Sequence, residues 1–293
     1  MNITLDRALP LRRTHGGLGR LDVRLLAKGD GWTVEDVVCS YGPQDRPYEE
    51  QHDHVAIAIV TSGTFQYRGS GSNGREMMTP GSLLLGSAGQ SFECGHEHGV
   101  GDRCLSFRFT PEYFETITAG TAVRAAAGRR FRSLRLPPRR TLSPLIADAC
   151  AALAGCADVA WDELGVRLAA RAVEIDSDIA PNRSAISPAA VARITRTVRM
   201  IEEHPAADLT LFRLAREARL SPFHFLRTFE SLTGATPHQY LMRSRLRAAA
   251  MRLANEKARI LDVSLDAGFN DVSNFNRAFR AEFGASPRVY RRR

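Results

Sequence analysis

The stretch ECGHEHGVGDRC sets Cys94, His96, His98 and Cys104 close together in the chain. In an extended strand side chains alternate with period two, so Cys94, His96 and His98 fall on one face. Cys104 lies just beyond a Gly-Val-Gly-Asp turn. Two thiolates and two imidazoles form a donor set that tetrahedral Zn²⁺, or another divalent ion, accepts. A two-residue turn at Val100-Gly101 would instead pair Cys104 with Glu97 and point it away from His96 and His98. The same residues also read as an exposed polar hairpin, a pocket wall or a redox-sensitive thiol pair. A second pair, His52 and His54, is expected on one strand face with Ala56 and Ala58 beyond, lining an effector pocket.

A different chemistry, hydrogen bonding to an external partner, is suggested near the other end. FLRTFESLTGATPHQY begins at Phe225 and FNRAFRAEFGASPRVY at Phe275. The two share Phe225/Phe275, Arg227/Arg277, Phe229/Phe279, Gly234/Gly284, Ala235/Ala285, Pro237/Pro287 and Tyr240/Tyr290. An internal repeat of this kind is one supersecondary unit written twice. Phe at i and i+4 points into a core, Gly ends a helix and Pro starts one. The matched residues therefore read as scaffold. The outward face carries Phe223, Leu226 and Arg227 in the first copy, and Val272, Ser273, Asn276 and Arg277 in the second. A helix fits the major groove of B-DNA, where Arg reads guanine, Asn and Ser offer other hydrogen bonds, and an apolar group meets a thymine methyl. Arg227 and Arg277, present in both copies, read equally as base contacts or as a shared backbone contact or salt bridge.

The charge agrees with this division. From Ser187 onward there are 19 Lys+Arg against 10 Asp+Glu, whereas residues 1–186 hold 21 against 22. A basic half joined to a neutral one points to a polyanion partner for the basic half. The start MNITLDRALPLRRTHGG lacks the apolar core of a signal peptide, and no run reaches the ~20 apolar residues of a membrane span. Five cysteines, an odd number, do not make a disulfide framework, and a cytoplasmic setting is the default.

Between these ends the organisation is legible in outline. VAIAIV (55–60), GTFQYR (63–68), GSLLLG (81–86) and RCLSFRF (103–109) are short apolar or alternating runs bounded by turn residues, as in a small barrel or sandwich. Residues 111–120 and ~142–178 have helical spacing, with Leu145, Ala149, Ala152, Leu164, Leu168 and Val173 on inner faces. The expected class is α+β with two domains. Residues 1–180 form a sensor domain, with a barrel over ~20–110 and helices over ~142–178. Residues 181–187 are a linker, and 188–293 an all-α domain. Within the latter, helices are expected at ~188–203, ~210–218, ~222–233, ~237–254, ~259–267 and ~272–283, with a last turn from Pro287.

LAREARLSPFHFLRTFESLTGATPHQYL and ILDVSLDAGFNDVSNFNRAFRAEFGASPRVY resemble the DNA-binding domain of the AraC/XylS family of bacterial transcription regulators. The resemblance implies helix-turn-helix motifs at ~210–233 and ~259–283 joined by the helix ~237–254. It implies double-stranded promoter DNA and RNA polymerase as partners, and leaves the role open between activator and repressor. Arg219 stands where the first motif often has Gly, as Gly268 does in the second. HDHVAIAIVTSGTFQYR and PGSLLLGSAGQSFE are similar to the two cupin motifs, which implies a cupin-like barrel that responds to a small molecule. His52 and His54 match the paired histidines, but no Glu follows, and Gln90-Ser91 stands where a further His is expected. A metal-dependent cupin enzyme fused to a DNA-binding module is the alternative; a sensor acting through the Cys/His cluster is another. The trailing helices offer a surface for a homodimer, and no catalytic residue is expected.

Overall fold

The computed structural model describes residues 16–70, 75–119, 130–155, 159–178 and 187–292. The expected linker, except Ser187, lies outside them, as does Cys156. The chain divides into two compact units: Ile3–Pro137 with Ala160–Ser187, and Pro138–Val159 with Pro188–Arg293.

The first unit holds two antiparallel sheets. The larger has strands β1 (Leu21–Gly29), β2 (Trp32–Cys39), β4 (Val55–Gly63), β7 (Leu83–Gly86), β9 (Asp102–Phe109) and β10 (Arg135–Leu136). Their order is β1-β2-β9-β4-β7-β10. The smaller, β3 (Tyr48–Gln51), β5 (Phe65–Gly69), β6 (Glu76–Met78) and β8 (Ser91–Gly95), runs β3-β8-β5-β6. A common core joins them, with Ala58, Val60, Leu84 and Cys104 from the first and Phe65, Tyr67, Met78 and Cys94 from the second. Helices α1 (Pro111–Thr118) and α3 (Trp161–Asp178) belong to the same unit. At Gly165 a Cβ would stand 3.4 Å from the Phe109 ring, so α3 lies close against β9. Having one face against the second sheet and the other beneath α3 explains why Val55–Val60 is buried at every position rather than alternating.

The second unit contains α2 (Ser143–Leu153), α4 (Pro188–Glu203), α5 (Leu211–Glu217), α6 (Pro222–Thr233), α7 (Pro237–Asn255), α8 (Ile260–Asp266), α9 (Val272–Phe283) and α10 (Pro287–Tyr290). Placing α2 here differs from the expected grouping of 142–178 with the sensor. Its Ala147 enters the core formed by Phe275, Phe279, Phe283 and Tyr290. The Ser143 hydroxyl donates to the Glu282 carboxylate, and Arg243 donates to the Pro138 carbonyl at 2.6 Å. Only α3 of the expected trailing pair stays with the sheets.

Helices α5 and α8 end in the same turn. Leu220 N donates to the Ala215 carbonyl, and Phe269 N to that of Ser264, each at 3.0 Å. Such a turn needs a left-handed residue, supplied by Arg219 at φ 53° and by Gly268 at φ 83°. The two sites differ in tolerance. A Cβ on Gly268 would come within 2.9 Å of the Ala206 Cα and carbonyl oxygen. Left-handed strain of about 1 kcal/mol adds to overpacking of about 1–3 kcal/mol, so Gly268→Ala should lower stability by about 2 kcal/mol or more. Arg219→Gly removes strain from the folded state but loosens the unfolded chain, and should shift stability by less than about 1 kcal/mol. Urea midpoints of the two variants check this contrast.

Candidate functional site

The two repeated helices are built alike. Ser221 caps α6 through its side chain, which accepts from the His224 amide; Asp271 caps α9 by accepting from the amides of Ser273 and Asn274. Phe225/Phe229 and Phe275/Phe279 are fully buried. Each helix closes on a left-handed glycine, Gly234 at φ 74° and Gly284 at φ 73°. Burying the Phe pair fixes the rotation of each helix, and rotation decides which residues face out.

The outward set contains Phe223, 64% exposed, with Arg227, Ser273, Asn276 and Arg277 also exposed. Leu226 and Val272 are half-buried at the edge of this face. The Arg227 guanidinium lies 5.9 Å from the Phe223 ring centroid, in cation–π range. His224 and Asn274, also exposed in the first turns, complete the face; sequence reasoning passed over them. The available signal was their position just before the buried Phe225 and Phe275.

The basic residues of α7 have another use. Arg245 donates to the carbonyls of Pro205 at 2.7 Å, Gly268 at 2.9 Å and Ala207 at 3.0 Å. Arg247 pairs with Glu202 at 2.7 Å, and Arg291 donates to the Ala258 carbonyl at 2.6 Å. Together with Arg243, whose guanidinium donates to the Pro138 carbonyl, these residues fasten elements of the helical unit to one another. Surface cations, among them Arg216, Arg227, Arg277 and Arg280, remain for an anion.

In the sheet unit, His52 and His54 do not share a strand face. They lie in the bend before β4, because the ladder begins only at Val55. The His52 ring stacks on Phe92 at 4.2 Å, and its Nε2 lies 2.7 Å from the Tyr67 hydroxyl. Burial, reinforced by the Arg108 charge, pushes the His52 pKa down to about 4, so its imidazole is neutral at neutral pH. His54 lies half-exposed with Nδ1 3.1 Å from the Asp53 carboxylate.

The expected cluster of Cys94, His96, His98 and Cys104 is also rearranged. Strands β8 and β9 belong to different sheets, so no hairpin joins them. Cys104 lies opposite Val37 and Val60, and Cys94 opposite Tyr48 and Tyr67. The exposed-hairpin reading is excluded, since Cys94, His96 and Cys104 are all buried. His98 is half-buried near Glu97. His96 and Cys104 instead both reach the buried carboxylate of Asp102, which the expected set omitted.

These features have counterparts in known proteins. A helix-turn-helix domain family matches residues 214–293, and the AraC-like ligand-binding domain family matches residues 38–172. Over 103 residues the chain is 42% identical to the transcriptional activator NphR of a Rhodococcus species, covering 34% of this chain and 30% of that protein. Over 100 residues it is 31% identical to the regulatory protein SoxS of Salmonella typhimurium, covering 34% of this chain and 94% of SoxS. Over 99 residues it is 33% identical to the transcriptional activator RhaS of Escherichia coli, covering 34% of this chain and 36% of RhaS. The match thus spans 30–36% of the length of NphR and RhaS. With both domain types present in order, the chain belongs to the AraC/XylS family of transcription regulators.

Proposed function

We propose that this chain is a one-component regulator that binds double-stranded promoter DNA through two helix-turn-helix motifs, under control of an N-terminal sensing unit. The observation that carries the reading is the paired scaffold: two helices with side-chain N-caps, the same left-handed glycine ends, the same buried Phe pair and different exposed side chains. In this reading Phe223, Leu226, Arg227, Val272, Ser273, Asn276 and Arg277, with His224 and Asn274, face the major groove. Helix α7, 19 residues and roughly 28 Å long, spaces the motifs so that they enter successive grooves. The motif turns at Arg219 and Gly268 set the crossing of each helix pair.

The sheet unit is the sensing half, a cupin-like barrel in this reading, and its two-sheet core supports it. In this reading the half-buried His52 and Phe92 rings, stacked on each other and backed by the buried Tyr67, are where a small-molecule effector would bind. RNA polymerase, a second copy of the chain and a cytoplasmic setting complete the proposal. The enzyme alternative has less support, because His52 and His54 turn to separate partners.

Binding to promoter fragments in rising salt tests the proposal. Neutralising about six phosphates would lower affinity by roughly 10³-fold between about 50 and about 200 mM salt. Affinity that is absent, or flat across that range, would remove the DNA-binding reading.

A further inference from the structure

We propose that Cys39, His96, Asp102 and Cys104 form a buried binding site for a divalent ion of the zinc class. The site deepens the sensing reading above, though ion binding itself can be measured without it.

The residues come from three segments that the fold brings together. Cys39 ends β2 and Asp102 opens β9, directly opposite one another in the ladder. Cys104 is the next inward position on β9, and His96 follows the end of β8 in the other sheet. A Cys39 Sγ, a His96 ring nitrogen and an Asp102 carboxylate oxygen all lie within 4.8 Å of one another. Cys104 Sγ lies 3.4 Å from Asp102 Oδ2, and His96 Nε2 lies 2.5 Å from Asp102 Oδ1. All four residues are at least nine-tenths buried, with Cys39 at 2% and Cys104 at 6% exposure. Tyr41 and Phe65 stack against His96 with ring centroids at 6.3 and 5.9 Å, which limits its rotation.

The Asp102 carboxylate thus gathers the His96 imidazole and the Cys104 thiol, with the Cys39 thiol beside them, in one buried cluster of metal-binding groups. A divalent ion at this cluster would stabilise thiolates and draw the carboxylate to itself. Cys39, His96 and Asp102 supply a thiolate, an imidazole and a carboxylate within one mutually close group; Cys104, joined to it through Asp102, is the fourth donor and completes a set that tetrahedral zinc accepts. Binding releases the two thiol protons, and His96 ligates as neutral imidazole. Cys94, in the same core, and His98, beside Glu97, are not needed.

The test is cobalt titration of the full chain, purified and stripped of metal under reducing conditions. One equivalent of Co²⁺ should give tetrahedral visible bands and a thiolate-to-cobalt charge-transfer band, and Zn²⁺ should displace both. Cys39→Ser should weaken binding at least roughly 100-fold, since loss of an outer-shell partner alone costs about 10–100-fold. Cys94→Ser, an equally buried change in the same core, and His98→Ala should leave the spectrum intact. Wild-type protein without a thiolate band at one equivalent would overturn the proposal, whatever the variants do. So would a spectrum lost in Cys94→Ser or His98→Ala but kept in Cys39→Ser. Promoter binding measured on the same samples separates this outcome from failure of the regulator reading.

Discussion

Replacing Phe279 by Ala is expected to cost about 3–5 kcal/mol, a large part of the stability of the helical unit. Phe279 is fully buried, with ring centroids 5.5 Å from Phe275, 4.6 Å from Phe283 and 5.4 Å from Tyr290. Its counterpart Phe229 has only Phe225 at 5.4 Å and Tyr240 at 5.7 Å as ring neighbours among the described residues. Each aromatic pair adds about 0.5–1.5 kcal/mol beyond area burial, so Phe229→Ala should be the milder change. At a urea slope of about 2 kcal/mol per molar, Phe279→Ala should lower the midpoint of helix unfolding by about 2 M. A loss below about 1 kcal/mol would mean that the second scaffold is not held by this cluster.

Asp36→Ala should be comparably severe in the sheet unit. Arg103 donates to both oxygens of Asp36, at 2.7 and 2.9 Å, and both side chains are buried. Removing one partner of a buried pair leaves an uncompensated charge and costs about 3–5 kcal/mol. Replacing both, as Asp36→Leu with Arg103→Met, should recover most of the loss. The second pair to Asp36, from Arg24, is half-exposed and contributes little. Burial pushes the Asp36 carboxyl up, but the hydrogen bonds and charge of Arg103 and Arg24 outweigh it and hold the pKa below the ordinary carboxylate value. A depressed folded pKa gives stability that is complete above the unfolded value near ~4 and is lost as pH falls through the folded one. Wild type should therefore show a loss of stability in acid that Asp36→Ala lacks, read from urea midpoints across that range.

The helical unit was legible because its signals are local. Pro222, Pro237 and Pro287 start helices, Gly234 and Gly284 end them, and the Gly234 and Pro237 signals return fifty residues later as Gly284 and Pro287. Cap chemistry acts over three or four residues, within reach of a sequence reading. Pairing across the sheets is not local. Cys39 and Asp102 meet through a ladder between strands far apart in sequence, and nothing near ECGHEHGVGDRC signals Cys39. The expected set held His96 and Cys104, which both reach Asp102, but not Cys39, which only the strand register brings beside them. A like reason applies to Arg243, Arg245 and Arg247. Charge is visible in a sequence, but the carbonyls and carboxylates that occupy these guanidiniums come from other elements. The pairing of α2 with the helical core was equally hidden, because an Ala-rich helix fits either neighbour.

The segment 138–159 gives the two units a connection beyond the expected linker. The chain leaves the sheet unit after Pro137, contributes α2 to the helical core, and returns at Ala160.

The central claim is that one scaffold, written twice, presents two different sets of reading side chains. Selection of binding sites from random double-stranded DNA tests it most directly. Wild type is compared with a variant carrying Phe223→Ser, His224→Asn and Leu226→Asn, which gives positions 223–227 of α6 the outward residues that α9 carries at 273–277. Both should select two recognised segments about 10 base pairs apart. In the variant, the segment read by α6 should change toward the sequence read by α9, with the spacing and the other segment unchanged. A selected site identical to that of wild type would contradict the account.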